Sequence, residues 1–327
     1  FKVSFSSVPD ETTSLCDLVL PDHHGLESWG DAEAVRGTLG LQPGSSFKAF
    51  VLAAAFERGI TPDDEYPAPA SLTLPNCTGQ CTISNAEPGN GGVEDLRQAT
   101  AHSVNTVFAQ LIQDVGPQNV AELAHRLGVG SIDPATTQYG VSLALGAYEV
   151  SPLEMAAGYS VFANHGVRVP ATPILRVLDS RGRVLMDNSV PQGEQVLDPA
   201  VADTVSQLLG GVITGGTGRA ADIGRPAAGK TGTAQEHRAA WFVGYTPQLS
   251  TAVWMGYSDV PRPLYGIKGA SRVFGGGFPA DARLLRHVYT GDKPGRNQKA
   301  QRIEHKGGGD AKESRRQPAQ HGPEGQH

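Results

Sequence analysis

An α+β architecture, an antiparallel β-sheet flanked by helices, is what this 327-residue sequence predicts. Three observations carry it. Apolar residues recur at helical spacing from Phe47 to Val212; three strand-like runs, 227–234, 239–245 and 250–257, follow; and the turn between the last two runs is too short for anything but antiparallel neighbours.

Residues 1–40 show no sustained period and form an atypical N-terminal segment. After Pro43-Gly44 the run Phe47, Phe50, Val51, Ala53, Ala54, Ala55, Phe56 predicts a buried helix whose first turn begins at Ser45 and which stops at Gly59. Residues 61–92, rich in Pro, Gly, Asn and Asp, read as an ordered loop that covers the fold. Apolar periodicity from Val93 to Ile112 fits two consecutive helices, with Ser103-Val104-Asn105 at or near the turn between them. A third helix, 120–127, closes at Gly128.

Residues 152–164 make another helix, with Ser151 as cap, Pro152 in the first helical position and Glu154 three residues after the cap. Two alternating segments, 174–178 and 184–186, flank Asp179-Ser180-Arg181-Gly182 and predict a hairpin. Residues 199–212 are helical, Gly215-Gly216-Thr217-Gly218 breaks the helix, and a short helix over 279–289 follows the strands.

A net charge of −6 argues against a nucleic-acid partner. The basic residues that do cluster lie at 292–327, where eight Lys and Arg face five acids and Ile303 is the sole large aliphatic; residues 290–327 read as a disordered polar tail. No stretch reaches the roughly 20 apolar residues that span a bilayer, no secretory signal pattern is present, and the chain begins at Phe1, so it reads as an excised portion of a longer protein. Cys77 and Cys81 flank a Thr-Gly-Gln turn; their spacing leaves a disulfide open, Cys16 would stay odd, and no partners at metal-site spacing accompany them.

The chemistry concentrates in three short words: Ser45-Ser46-Phe47-Lys48, Ser103-Val104-Asn105 and Lys230-Thr231-Gly232-Thr233. By chance the first two patterns are each expected roughly once in such a chain and the third less than once. Each occurs once, in this order, the first at a Pro-Gly helix start and the third on a strand-like run. A serine hydroxyl needs a base, and spacing i to i+3 puts Lys48 on the same helix face as Ser45. The free N–H groups of a first turn stabilise negative charge beside Ser45, and Phe47 and Phe50 supply apolar packing that desolvates Lys48.

Ser103 can relay a proton between lysines and a leaving amine, and Asn105 can hold a substrate amide. Helix capping is the plainer duty open to both. Gly229 and Gly232 let a substrate backbone lie against the strand, Lys230 supplies a cation, and the Thr231 and Thr233 hydroxyls can bind a carboxylate. The plainer reading of Lys230 is an exposed strand residue. The Thr233 and Ser45 N–H groups together form a candidate oxyanion hole. His102 reads as a turn-shaping residue, His237 as a possible substrate contact and His23-His24 as a surface pair; no dinucleotide or phosphate-loop fingerprint appears, so no cofactor is implied.

With Pro152-Leu153-Glu154-Met155-Ala156 and the segment from Ala240 to Pro247, these words resemble the transpeptidase domain of class A, bifunctional penicillin-binding proteins, over residues 41–289. The resemblance implies the serine β-lactamase and D,D-peptidase fold with an all-helical subdomain. It implies a D,D-transpeptidase in which Ser45 attacks the penultimate D-alanine carbonyl of a peptidoglycan stem peptide, with Ser45, Lys48, Ser103 and Lys230 catalytic and Asn105, Thr231, Gly232 and Thr233 binding substrate. β-Lactams would acylate Ser45, and the enzyme would work at the outer face of the bacterial membrane, with a membrane anchor and a glycosyltransferase domain in the full-length protein. The ends of the chain, 1–40 and beyond 289, depart from the family pattern.

Other outcomes of the same opening chemistry are a D,D-carboxypeptidase, a serine β-lactamase, a β-lactam-binding sensor domain or an inactive fragment. A class A β-lactamase needs a glutamate that activates water, in an E-x-x-L-N word. Glu149 and Glu154 stand in other contexts, so slow deacylation is expected.

Overall fold

The computed structural model describes residues 3–5, 18–20, 41–74, 82–86, 91–233, 239–256 and 264. Strands β1 (Val3–Phe5) and β2 (Leu18–Leu20) form a parallel pair in the stretch where no period is legible. Helix α1 (Lys48–Phe56) follows a four-residue 3-10 turn, Gly44–Phe47, and all nine of its residues are buried. With Ala at four of those nine positions, neighbouring helices approach from several sides: α3, α4 and α6 all pack against it. The helical start expected at Ser45 is therefore split, because Ser45 lies in the tighter turn and the α-helix proper begins at Lys48.

The covering segment holds β3 (Glu65–Pro67), β4 (Ser71–Thr73) and β5 (Thr82–Ser84), with β3 paired to β6 (Val93–Asp95) and β4 to β5. It is fastened to the helix beneath by polar bonds: Thr106 N–H donates to Asn85 Oδ1 (3.0 Å), and Gln110 Nε2 donates to the Pro67 carbonyl (2.8 Å). Helices α2 (Leu96–His102) and α3 (Asn105–Val115) meet at Ser103, the C-cap of α2, whose φ of 59° places a non-glycine residue in the left-handed region. Helix α4 (Pro117–Arg126) starts three residues earlier than the apolar period suggests, because Pro117 takes the first-turn position where a missing N–H is harmless.

Helix α5 (Pro152–Ala163) carries a complete capping box between Ser151 and Glu154. Strands β7 (Val167–Arg168) and β10 (Glu194–Gln195) pair with each other. Between them β8 (Arg176–Leu178) and β9 (Val184–Asp187) make the expected hairpin, with Asp179 receiving the Arg181 and Arg183 N–H groups. Helix α6 (Pro199–Thr214) runs two residues past its expected end, before the glycine break.

Strands β11 (Ala228–Thr233), β12 (Ala239–Thr246) and β13 (Leu249–Gly256) form an antiparallel sheet in sequence order, registered Lys230↔Val243 and Trp241↔Trp254. Helix α5 packs on β12 and β13 and α6 on β11. Every residue of β12 is buried, so this strand is the apolar floor joining sheet to helices. The expected helix at 279–289, the tail 290–327, the histidines 23, 24 and 237, and Cys16, Cys77 and Cys81 lie outside the described residues. No helix among the described residues is long and apolar enough to cross a membrane.

Candidate active site

Three glycines determine how closely the Ser45 turn meets the sheet. A Cβ on Gly232 would sit 2.2 Å from the Pro43 carbonyl oxygen, and one on Gly44 would sit 2.4 Å from that of Thr233. On the other side, a Cβ on Gly146 would fall 2.2 Å from the Gly44 oxygen, and both Gly44 (φ 57°) and Gly146 (φ 63°) use the left-handed region. Main chain therefore packs directly on main chain, and the turn bearing Ser45 lies against the backbone of Thr233.

Lys48, the first residue of α1, is completely buried. Its Nζ donates to Asn105 Oδ1 (2.7 Å), to the Ser103 carbonyl (2.8 Å) and to Ser103 Oγ (3.2 Å), and it lies 5.0 Å from the centre of the Phe108 ring. The left-handed turn at Ser103 aims both of that residue's oxygens at the lysine. Burial first, and the charge of Lys230 second, hold the Lys48 pKa well below the ordinary lysine value. The ring over the amine is thus Phe108, while Phe47 and Phe50 meet at a tilt of 51° with centroids 5.0 Å apart and Phe50 continues into Tyr159 and Phe162.

Asn105 does not cap a helix with its side chain. Its Oδ1 accepts from Lys48 and its Nδ2 donates to the Ser84 carbonyl (2.9 Å), so the amide links the lysine to the covering segment. One N–H of that amide remains beyond these bonds. Ser103 does serve as a C-cap, while bonding Lys48 at the same time.

Lys230 is fully buried too, contrary to the exposed-strand alternative. Burial brings its pKa down to about 7, and its Nζ donates to the Thr231 carbonyl (3.2 Å) and, at 3.5 Å, reaches Thr231 Oγ1. Thr231 is buried, and Thr233 is exposed at the open end of β11. Ser45 is half-buried, and among the described residues no hydrogen bond holds its hydroxyl. The structure thus brings Lys48, Ser103 and Asn105 into direct bonding, joins Lys230 to Thr231, and seats the turn of Ser45 beside Thr233.

Two participants escape a sequence reading. Thr217, in the glycine break after α6, bonds Thr231 through their hydroxyls at 2.8 Å. Tyr159, buried on α5, donates to the Ser46 carbonyl beside Ser45. Its helical period marks Tyr159 only as a core residue, and a single Thr among glycines carries no chemical pattern.

Comparison with known proteins identifies the family. Residues 38–275 match the penicillin binding protein transpeptidase domain. Penicillin-binding protein 1A of Aquifex aeolicus is 36% identical over 234 residues, covering 71% of this chain and 31% of that protein. The Mycobacterium tuberculosis protein of the same name is 34% identical over 261 residues, covering 74% and 31%. The chain thus spans about a third of the length of these relatives.

Among solved structures, penicillin-binding protein PonA1 of Mycobacterium tuberculosis superposes with a TM-score of 0.67 at 32% identity, covering 78% of this chain and 70% of that one. The PonA1 complex with penicillin V gives 0.66 at 30% identity, covering 86% and 73%. The chain therefore belongs to the penicillin-binding protein transpeptidase domain family.

Proposed function

We propose that this chain is a serine D,D-transpeptidase that cross-links peptidoglycan stem peptides and is acylated at Ser45 by β-lactams. The observation that carries the reading is the buried Lys48 amine, held by Ser103 and Asn105, its pKa lowered by burial and by the charge of the likewise buried Lys230. A neutral amine has two N–H groups and one lone pair. The two shortest acceptors, Asn105 Oδ1 and the Ser103 carbonyl, take the two N–H groups, and the lone pair is left for a hydroxyl proton.

In this mechanism Ser45 Oγ attacks the penultimate D-alanine carbonyl while its proton passes to Lys48 Nζ. The Ser45 and Thr233 N–H groups bind the developing oxyanion. The carbon–nitrogen bond to terminal D-alanine breaks, and the proton travels from Lys48 through Ser103 Oγ to the departing amine. The acceptor amine then attacks the ester, gives its proton to Lys48, and Ser45 recovers its hydroxyl. Lys230, Thr231 and Thr233 bind the substrate carboxylate, Gly232 gives the peptide room against β11, and Asn105 presents its remaining N–H to the substrate amide. Nothing in this scheme calls for a metal or cofactor.

A β-lactamase outcome would need a carboxylate free to activate water. Glu154 is committed elsewhere: its two oxygens accept from the Ser131 and Ser151 N–H groups (2.7 and 2.8 Å) and from both hydroxyls. Glu149 is exposed on the loop before α5. We place the working enzyme on the outer face of the bacterial membrane, joined in its full-length form to an anchor and a glycosyltransferase domain, by analogy with class A members of the family.

A fluorescent penicillin tests the reading. The chain takes up label, Ser45→Ala takes up none, and the label persists for minutes or longer; loss within seconds would contradict a transpeptidase. A stem-peptide donor with an acceptor amine then yields cross-linked product, whereas D-alanine release alone would indicate a carboxypeptidase.

A further inference from the structure

The segment after α6 touches two parts of the candidate site at once. The Thr217 N–H donates to the Ala101 carbonyl (3.0 Å), two residues before Ser103, while Thr217 Oγ1 lies 2.8 Å from Thr231 Oγ1. Gly216 makes this approach possible, because a Cβ there would sit 2.2 Å from the same Ala101 oxygen. Thr217 is thus fixed between the helix carrying Ser103 and the strand carrying Lys230.

A hydroxyl has one proton and two lone pairs. On Thr231 one lone pair faces Lys230 Nζ, reached at 3.5 Å, and the other faces Thr217. If Thr231 spends its proton on Thr217, it has none for an anion. If Thr217 is the donor, both Thr231 lone pairs are satisfied from behind and its proton points outward. Among the described residues the Thr217 hydroxyl has only Thr231 as a hydrogen-bond partner, so its proton has no competing acceptor there.

We propose that Thr217 is a positioning residue for carboxylate recognition: by donating to Thr231 Oγ1 it orients the Thr231 proton toward the substrate carboxylate. This deepens the acyl-enzyme reading above and rests on Thr231 as a carboxylate donor. No bond forms or breaks; one hydroxyl proton turns. A charge-assisted hydrogen bond is stronger than the neutral one it replaces, so loss of this orientation costs about tenfold in rate on a carboxylate-bearing acyl donor.

The test compares acylation rates of the whole chain with benzylpenicillin and with its methyl ester, which lacks the anion. In Thr217→Val the acid-to-ester rate ratio falls about tenfold, whereas Thr217→Ser, which keeps the donor, holds the ratio of the unsubstituted chain. In a Thr231→Ala background Thr217→Val has no further effect on the ratio. An unchanged ratio in Thr217→Val, an equal fall with both compounds, or a lost ratio in Thr217→Ser overturns the proposal; the Ser variant and the Thr231→Ala background decide it where Thr217→Val does not fold. No acylation of the unsubstituted chain by either compound sinks the acyl-enzyme reading itself, and this inference with it.

Discussion

The Lys48 and Lys230 region and the β8–β9 hairpin treat side-chain polarity in opposite ways. Two lysines with no exposed surface lie in the centre of the molecule, while Leu178, Val184, Leu185 and Met186 of the hairpin all stand in solvent. Burying a cation costs free energy that hydrogen bonds only partly offset, and exposing a leucine forfeits the gain from its burial. The contrast teaches that burial here follows position in the fold. α1 and β11 are fixed from several sides and keep their lysines dry, whereas the strands of the hairpin pack chiefly on each other and have little core to enter.

The largest break of this contrast is Lys48→Met. The variant keeps the volume and removes the amine, so β-lactam acylation falls by about 10³-fold, within the usual range for a lost general base, while the thermal midpoint stays level or rises. Stopped-flow or gel labelling, set against a melting curve, checks both halves. Equal losses of rate and stability would show Lys48 to be a scaffold element.

A smaller effect sharpens the cost of the second lysine. Lys230 has a folded pKa of about 7, below that of an unfolded lysine, so between about pH 7 and 10 the unfolded chain binds more protons. From this group stability therefore rises with pH across that window, by at most about 1.4 kcal/mol per pH unit. Below pH 7 its destabilising contribution is at its full value. Lys230→Met is most stabilised relative to the unsubstituted chain near pH 6, and the advantage shrinks toward pH 10; denaturant titrations at several pH values measure it, and a pH-independent difference would place the Lys230 pKa outside the window.

The smallest effect belongs to the hairpin. Leu185→Ser changes stability by no more than about 0.5 kcal/mol, because the side chain is already in water. A loss above about 2 kcal/mol, read from the denaturation midpoint, would mean that this face is covered in solution.

What the sequence makes legible follows the range of the interaction. The Ser151 and Glu154 capping box and the Asp179 turn rest on neighbours within a few residues, the strands carrying Lys230 and Trp241 show as local apolar runs, and all stand where the pattern puts them. The serine and lysine words are legible as words. Their mutual geometry is not, since the left-handed backbone at Ser103, the reach of Asn105 to Ser84 and the Phe108 ring over Lys48 join residues 21 to 60 positions apart. The hairpin misleads in the other direction: its alternation suggests a half-buried sheet, yet of its apolar residues only Val177 is even partly buried, because little packs beneath them.

The glycine contacts between Gly44, Gly146 and Gly232 have a consequence for how such a site can be altered. Where the Ser45 turn meets the strand, the closest contacts are made by glycines with no side chain to exchange. The wall against which an acyl donor would be held consists of peptide groups, whose chemistry no substitution changes, and whose spacing cannot admit even a methyl group without displacement. Selectivity among acyl donors, and escape from inhibitors that imitate them, must therefore be written in the neighbouring side chains, Asn105, Thr217 and Thr233 among them, each at a cost in the contacts it already makes.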